Sequence, residues 1–183
     1  MSDVFGTGDF LYAHVPNWEK LPDGMAFKEC PGVAVDSQDR VYVIDREPNP
    51  QIVVLDRDGK RLKIWDEDFL RTPHSIWIGP DDRVLVTDCG THLVHQFTLE
   101  GELVQSWGTG DQPGEEGKPF NSPTWAVFAP WGDLYVTDGY SSDYVHRFDK
   151  AGKYLKHFGA KGNGPRQFNT AHGMTLDTRY EPN

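Results

Sequence analysis

Two histidines, His74 in Thr72-Pro73-His74-Ser75 and His172 in Thr170-Ala171-His172-Gly173, stand 98 residues apart. Brought to one axis, two imidazoles can share a divalent metal ion. Zinc takes three or four ligands, so this pair alone is an incomplete set. Arg46, after Ile44-Asp45, and Tyr140, after Thr137-Asp138-Gly139, do not recur elsewhere in the repeated frame, which makes them further functional candidates. Each has an ordinary alternative: a surface ion pair with Glu47 for Arg46, and loop packing for Tyr140.

These four residues are comparable because the chain repeats. The unit is clearest at 73–107: Pro73-His74-Ser75-Ile76-Trp77-Ile78, Val84-Leu85-Val86-Thr87-Asp88, Leu93-Val94-His95-Gln96-Phe97 and Leu103-Val104-Gln105-Ser106-Trp107. Apolar-rich runs of this length, separated by Gly, Pro and Asp turns, predict four antiparallel strands. Sister copies start near Gly32 and Trp125, and Asp45, Asp88 and Asp138 end the second strand of each, 43 and 50 residues apart. Four-stranded repeats of this length specify an all-β propeller. The expected layout is an N-terminal strand and connector over 1–29, blades at 30–66, 72–108 and 122–159, the start of a fourth at 170–177, and a tail at 178–183.

Aligned on the first strand, Pro31, His74, Thr124 and His172 share one position at the start of the strand that lines a propeller's channel, so histidine recurs in alternate blades. The recurrent aspartates are expected to accept turn N–H groups. His14, His92, His95, His146 and His157 are expected in outer or edge strands facing solvent, and Cys89 as a simple buried thiol. Three blades cannot close a ring, so missing blades or a second chain are needed, and the run from Phe10 to Val15 reads as a lone strand that would join the last blade. The glycine-rich stretches 108–114 and 159–165 read as flexible connectors rather than phosphate loops.

Composition narrows the partners. A formal net charge of −10 speaks against nucleic acid, whose affinity comes from clustered Lys and Arg. Two distant cysteines suggest no disulfide framework, and no apolar leader or 20-residue apolar span is present, so the expectation is a cytoplasmic protein without a membrane partner.

The repeat Pro-x-Gly-Val-Ala-Val-Asp, x-Val-Tyr-Val-x-Asp and Phe-Asp-x-x-Gly-Lys, with Gly162-Asn163-Gly164-Pro165-Arg166-Gln167-Phe168-Asn169 between blades, resembles NHL repeats over 30–177. Within them it is similar to the peptidyl-α-hydroxyglycine α-amidating lyases, six-bladed zinc propellers acting on a small-molecule or peptide substrate. The resemblance implies zinc on His74 and His172, with a third ligand two blades further on, and catalytic roles for Arg46 and Tyr140. It also implies a structural calcium on backbone carbonyls at Val33 and Ile76. Ala171 departs from the family's proline before the histidine, and Ser141 from the cysteine of the animal enzymes. The implied reaction splits an α-hydroxyglycine carbinolamide into an amide and glyoxylate. The alternatives are a noncatalytic NHL scaffold and another metal-dependent propeller hydrolase, such as a calcium-dependent lactonase.

Overall fold

A computed structural model describes residues 3–65, 68–110, 113, 119–177 and 179. The expected tail at 178–183, apart from Arg179, and residues 111, 112 and 114 of the connector at 108–114 lie outside the described residues. The chain is all-β. Three four-stranded antiparallel sheets follow one another, each in sequential strand order. The first blade holds β3 (Val33–Val35), β4 (Val41–Asp45), β5 (Gln51–Leu55) and β6 (Arg61–Trp65). The second holds β7 (Pro73–Ile78), β8 (Val84–Asp88), β9 (Leu93–Phe97) and β10 (Leu103–Gly108), and the third β11 (Trp125–Phe128), β12 (Leu134–Asp138), β13 (Tyr144–Phe148) and β14 (Tyr154–Gly159).

Stacking explains why the middle strands read as unbroken apolar runs rather than alternating ones. β4, β5 and β8 are buried on both faces because each blade packs against another. Tyr42, Ile44, Ile52, Val54 and Trp65 of the first blade meet Ile76, Val84, Val86 and Phe97 of the second. Leu85, Val94 and Trp107 of the second meet Ala126, Phe128, Leu134, Val136 and Phe148 of the third. The free face of the first blade, Val43, Val53 and Leu55, is covered by Trp18, Leu21, Met25 and Phe27 from the N-terminal connector. Outer strands have no neighbour beyond them, and β6 and β10 are largely exposed.

The aspartate ending each second strand ties the blade together. Asp45 Oδ1 accepts the N–H groups of Lys28 and Glu29, Asp88 those of Arg71 and Thr72, and Asp138 those of Asn121 and Ser122. Each donor pair lies 17 and 16 residues upstream, in the segment leading into the first strand. Asp88 also takes the turn N–H groups of Gly90 and Thr91. The turn role is therefore only part of the work: a buried carboxylate with these bonds fixes where the first strand begins.

Two expectations are corrected. The run near Phe10 is no lone strand, because β2 (Phe10–Ala13) pairs with β1 (Val4–Thr7) in a separate hairpin, whose every residue is exposed. The expected first strand at 172–177 forms no ladder, since a strand needs a partner and none lies beside it among the described residues. The connector after β14 is ordered, with Phe168 N–H bonded to Ala160 O and Gly164 N–H to Gln167 Oε1.

Candidate metal centre and channel mouth

His74 is the second residue of β7, and the ladder slips there: Pro73 pairs with Asp88 and Ser75 with Thr87, leaving His74 as a bulge. The first strands of the other two blades pair without a slip. A bulge turns one side chain out of the sheet's alternation, here toward the third blade. His74 is 7% exposed, and its Nδ1 lies 3.0 Å from the Thr124 carbonyl oxygen. A carbonyl only accepts, so Nδ1 carries the proton and Nε2 keeps its lone pair.

That lone pair meets Tyr140. The Tyr140 hydroxyl is 2.7 Å from His74 Nε2 and 2.8 Å from His172 Nε2. The two imidazoles stand edge to face with ring centroids 4.6 Å apart, and the phenol makes similar edge contacts with both. The sequence-predicted His74, His172 and Tyr140 thus form one cluster, with the phenol oxygen between the two nitrogens.

The placement of His172 has three supports that the sequence did not announce. The Ala171 N–H donates to Asp143 Oδ1 at 2.9 Å, and the Thr124 hydroxyl donates to the Ala171 carbonyl at 2.7 Å. Gly139 supplies the space, since a Cβ there would sit 1.9 Å from the Ala171 oxygen. Asp143 is buried and holds a left-handed φ of 55°, as His92 does at 59° in the second blade. His92 Nδ1 likewise reaches the next blade's lead-in at Asn121 O. The signal lay in the loop after the second strand, whose last residue braces the next blade.

Arg46 follows β4 at the same mouth. Its guanidinium pairs with Glu29, not the neighbouring Glu47, because Asp45 pins the Glu29 N–H and the Arg46 N–H bonds back to Glu29 O. Burial lowers the His74 pKa, the hydrogen bond to Thr124 opposes this, and the charges of His172 and Arg46 lower it further. Burial raises the Tyr140 pKa, with Cys89 adding and Arg46 opposing. The resting pair is therefore a neutral imidazole and a protonated phenol. Cys89 donates its thiol to Pro123 O, and burial with Asp88 and Asp138 pushes its pKa up to about 12, against Arg46.

The other histidines divide. His14 is exposed as expected, whereas His95 and His146 are each only 2% exposed. They occupy the third position of β9 and β13, where Phe69 and Phe120 pack against them. His95 Nδ1 bonds to Ser106 Oγ and burial lowers its pKa, with Asp88 opposing; His146 Nε2 lies 3.6 Å from Asp138.

Could the cluster take zinc? His74 offers a lone pair oriented from behind by a carbonyl, and His172 aims at the same point, as paired imidazole ligands require. Among the described residues no group of three or more His, Cys, Asp or Glu is arranged to hold a metal, so these two are part of a set. Val33 and Ile76 lie on adjacent first strands, with the Gly32 Cβ position 3.1 Å from the Ile76 nitrogen.

The NHL repeat family matches residues 70–97, the stretch that carries His74. The chain is 32% identical to human NHL repeat-containing protein 3, over 94% of its own length and 53% of that protein. It is 29% identical to peptidyl-alpha-hydroxyglycine alpha-amidating lyase 1 of Drosophila melanogaster, over 65% of this chain and 21% of the fly protein. The chain therefore spans about half or less of these relatives. Virginiamycin B lyase from Staphylococcus aureus shares the fold, with a TM-score of 0.55 at 17% identity over 75% of this chain and 42% of that one.

Proposed function

We propose that this chain carries the active-site face of a zinc-dependent lyase of the peptidylamidoglycolate type, which cleaves an α-hydroxyglycine carbinolamide to an amide and glyoxylate. The observation that carries the reading is the meeting of His74 Nε2, Tyr140 hydroxyl and His172 Nε2 within 2.8 Å contacts. Relatives named as amidating lyases support the reaction class.

His74 and His172 are the residues that would hold zinc, which when bound acts as a Lewis acid on the substrate hydroxyl. The chain's own groups do the rest. Arg46 receives the substrate carboxylate on its planar fork, placing the carbinol carbon near Tyr140. Tyr140 takes the hydroxyl proton; the C–O bond becomes a carbonyl, the C–N bond breaks, and its electron pair leaves on the amide nitrogen, which takes a proton. A phenol whose pKa is already raised by burial is a poor base alone, so positive charge beside it is essential. His74 stays neutral to serve as a ligand, in keeping with its lowered pKa. The carbonyls of Val33 and Ile76 are a proposed calcium site at the same channel.

Assay of the full-length protein for bound zinc and for glyoxylate released from α-hydroxyhippurate tests the reading. Zinc lost together with turnover in His74→Ala and His172→Ala supports it. The similarity to NHL repeat-containing protein 3 over 94% of the chain favours a second reading, a noncatalytic scaffold binding across the disc face. A metal-free full-length protein that releases no glyoxylate would leave that reading standing.

A further inference from the structure

The repeated aspartate sets two residues side by side at each blade's mouth: the lead-in residue 16 positions upstream and the residue just after the aspartate. In the first blade these are Glu29 and Arg46, joined by the Arg46 N–H to Glu29 O bond of 3.0 Å. In the second they are Thr72 and Cys89, joined by the same backbone bond at 3.1 Å; the corresponding positions of the third are Ser122 and Gly139. Only the first blade fills both places with opposite charges. A nonrepeating pair in a repeated frame is not needed to build the frame, since the other two blades are built without it.

The side chains explain what the pair is for. Glu29 is fixed at its backbone on both sides, by its N–H to Asp45 Oδ1 and by its carbonyl. Its carboxylate takes one terminal nitrogen of Arg46 while remaining half exposed. The Arg46 side chain is 22% exposed, and its Nε is buried without a hydrogen-bond partner. The guanidinium's charge reaches His74, Cys89 and Tyr140, so it lies near the histidine cluster. An arginine has several rotatable bonds, and one anchored terminal nitrogen leaves its remaining donors in a defined direction.

We infer that Glu29 is a positioning residue for Arg46, holding the guanidinium over the channel mouth so that the site selects ligands bearing a free carboxylate. The inference rests on the proposed reaction for its ligand class, a small N-acylglycine-type acid, but not for the positioning itself. Glu29 touches no reacting atom. It acts by removing conformations in which Arg46 swings into solvent.

The test uses two probes on the full chain, hippurate and hippuramide, which differ only in carboxylate against amide. Glu29→Ala is expected to weaken hippurate binding about tenfold while leaving hippuramide unchanged, because a charge-assisted contact loses its preset geometry. Glu29→Gln, which can still accept from Arg46, restores most of the loss. In parallel, the Arg46 Nε–H resonance is expected to be slow to exchange in the wild type and broadened in Glu29→Ala. Tighter hippurate binding in Glu29→Ala would make Glu29 a competitor and overturn the inference, as would an equal loss for both probes. An Arg46 resonance indifferent to Glu29 overturns it as well. Hippurate failing to bind the wild type while the resonance still responds would sink the carboxylate recognition of the proposed reaction and leave the positioning intact.

Discussion

The backbone of Gly139 lies so close to Ala171 that a Cβ at 139 falls 1.9 Å from the Ala171 carbonyl oxygen. The contact is backbone against backbone, so no flexible side chain can yield. Gly139→Ala must push away the segment that presents His172. The blades themselves remain folded, since Gly139 packs in no core cluster. We expect the Tyr140 to His172 hydrogen bond to be lost and zinc affinity to fall about tenfold or more, while the melting temperature moves little. Zinc titration and the His172 ring resonances report the outcome; unchanged affinity would show that His172 is not held by this approach.

Thr124→Val keeps the shape of the side chain and removes its hydroxyl, which donates to Ala171 O and meets the Thr137 hydroxyl at 2.9 Å. Leaving buried acceptors unpaired costs about 1–3 kcal/mol. The His74 Nδ1 bond survives because it uses the Thr124 backbone carbonyl. The variant therefore loosens His172 while His74 stays in place, a split that side-chain relaxation measurements on the two rings can read.

Tyr140→Phe should leave zinc bound and lower glyoxylate release by about a hundredfold or more, the scale of one general base. Retained turnover would take Tyr140 out of the reaction.

Asp88→Ala strands four backbone N–H groups, those of Arg71, Thr72, Gly90 and Thr91. At about 1 kcal/mol for each of the four donors left unmatched, the loss is about 4 kcal/mol, visible in the urea midpoint. A loss below 1 kcal/mol would mean that water replaces the carboxylate.

Acid stability separates into two windows. Burial lowers the pKa of His74 and His95 in the folded protein, so the unfolded chain binds more protons just below their ordinary value of about 6.5. Stability then rises with pH, and it falls as pH drops below about 6.5. Asp138 behaves differently: burial opposes its charge, but the nearby His146 and bonds from Asn121, Ser122 and Ser142 hold its pKa below the usual carboxylate value. Its contribution is lost only below about pH 4. His95→Gln should flatten the first window and leave the second; an unaltered slope between pH 5 and 7 would exclude His95 as its source.

Strand order was legible because apolar runs and Asp-Gly turns are local signals. The alignment of His74 with His172 rested on a register argument of the same kind, within a repeat. What escaped depended on contacts between segments distant in sequence. Glu47 adjoins Arg46 in sequence, yet Glu29 is the partner because the Asp45 bonds fold the lead-in back across the strand end. His95 and His146 looked like edge residues, but their recurrence at one position in β9 and β13, each with a phenylalanine in the preceding lead-in, was a readable sign of burial. The bulge at His74 left no mark in composition at all.

The aspartate clamp reaches back only 16 or 17 residues, and within each sheet the strands pair in sequence order. Each blade can therefore close on itself before the next has been synthesised. Loops this short cost little entropy to close, so a nascent chain can hide its hydrophobic strands one sheet at a time. The channel-mouth chemistry comes last, since His172 belongs to the stretch beyond the third blade and Asp143 and Thr124 must already be waiting for it.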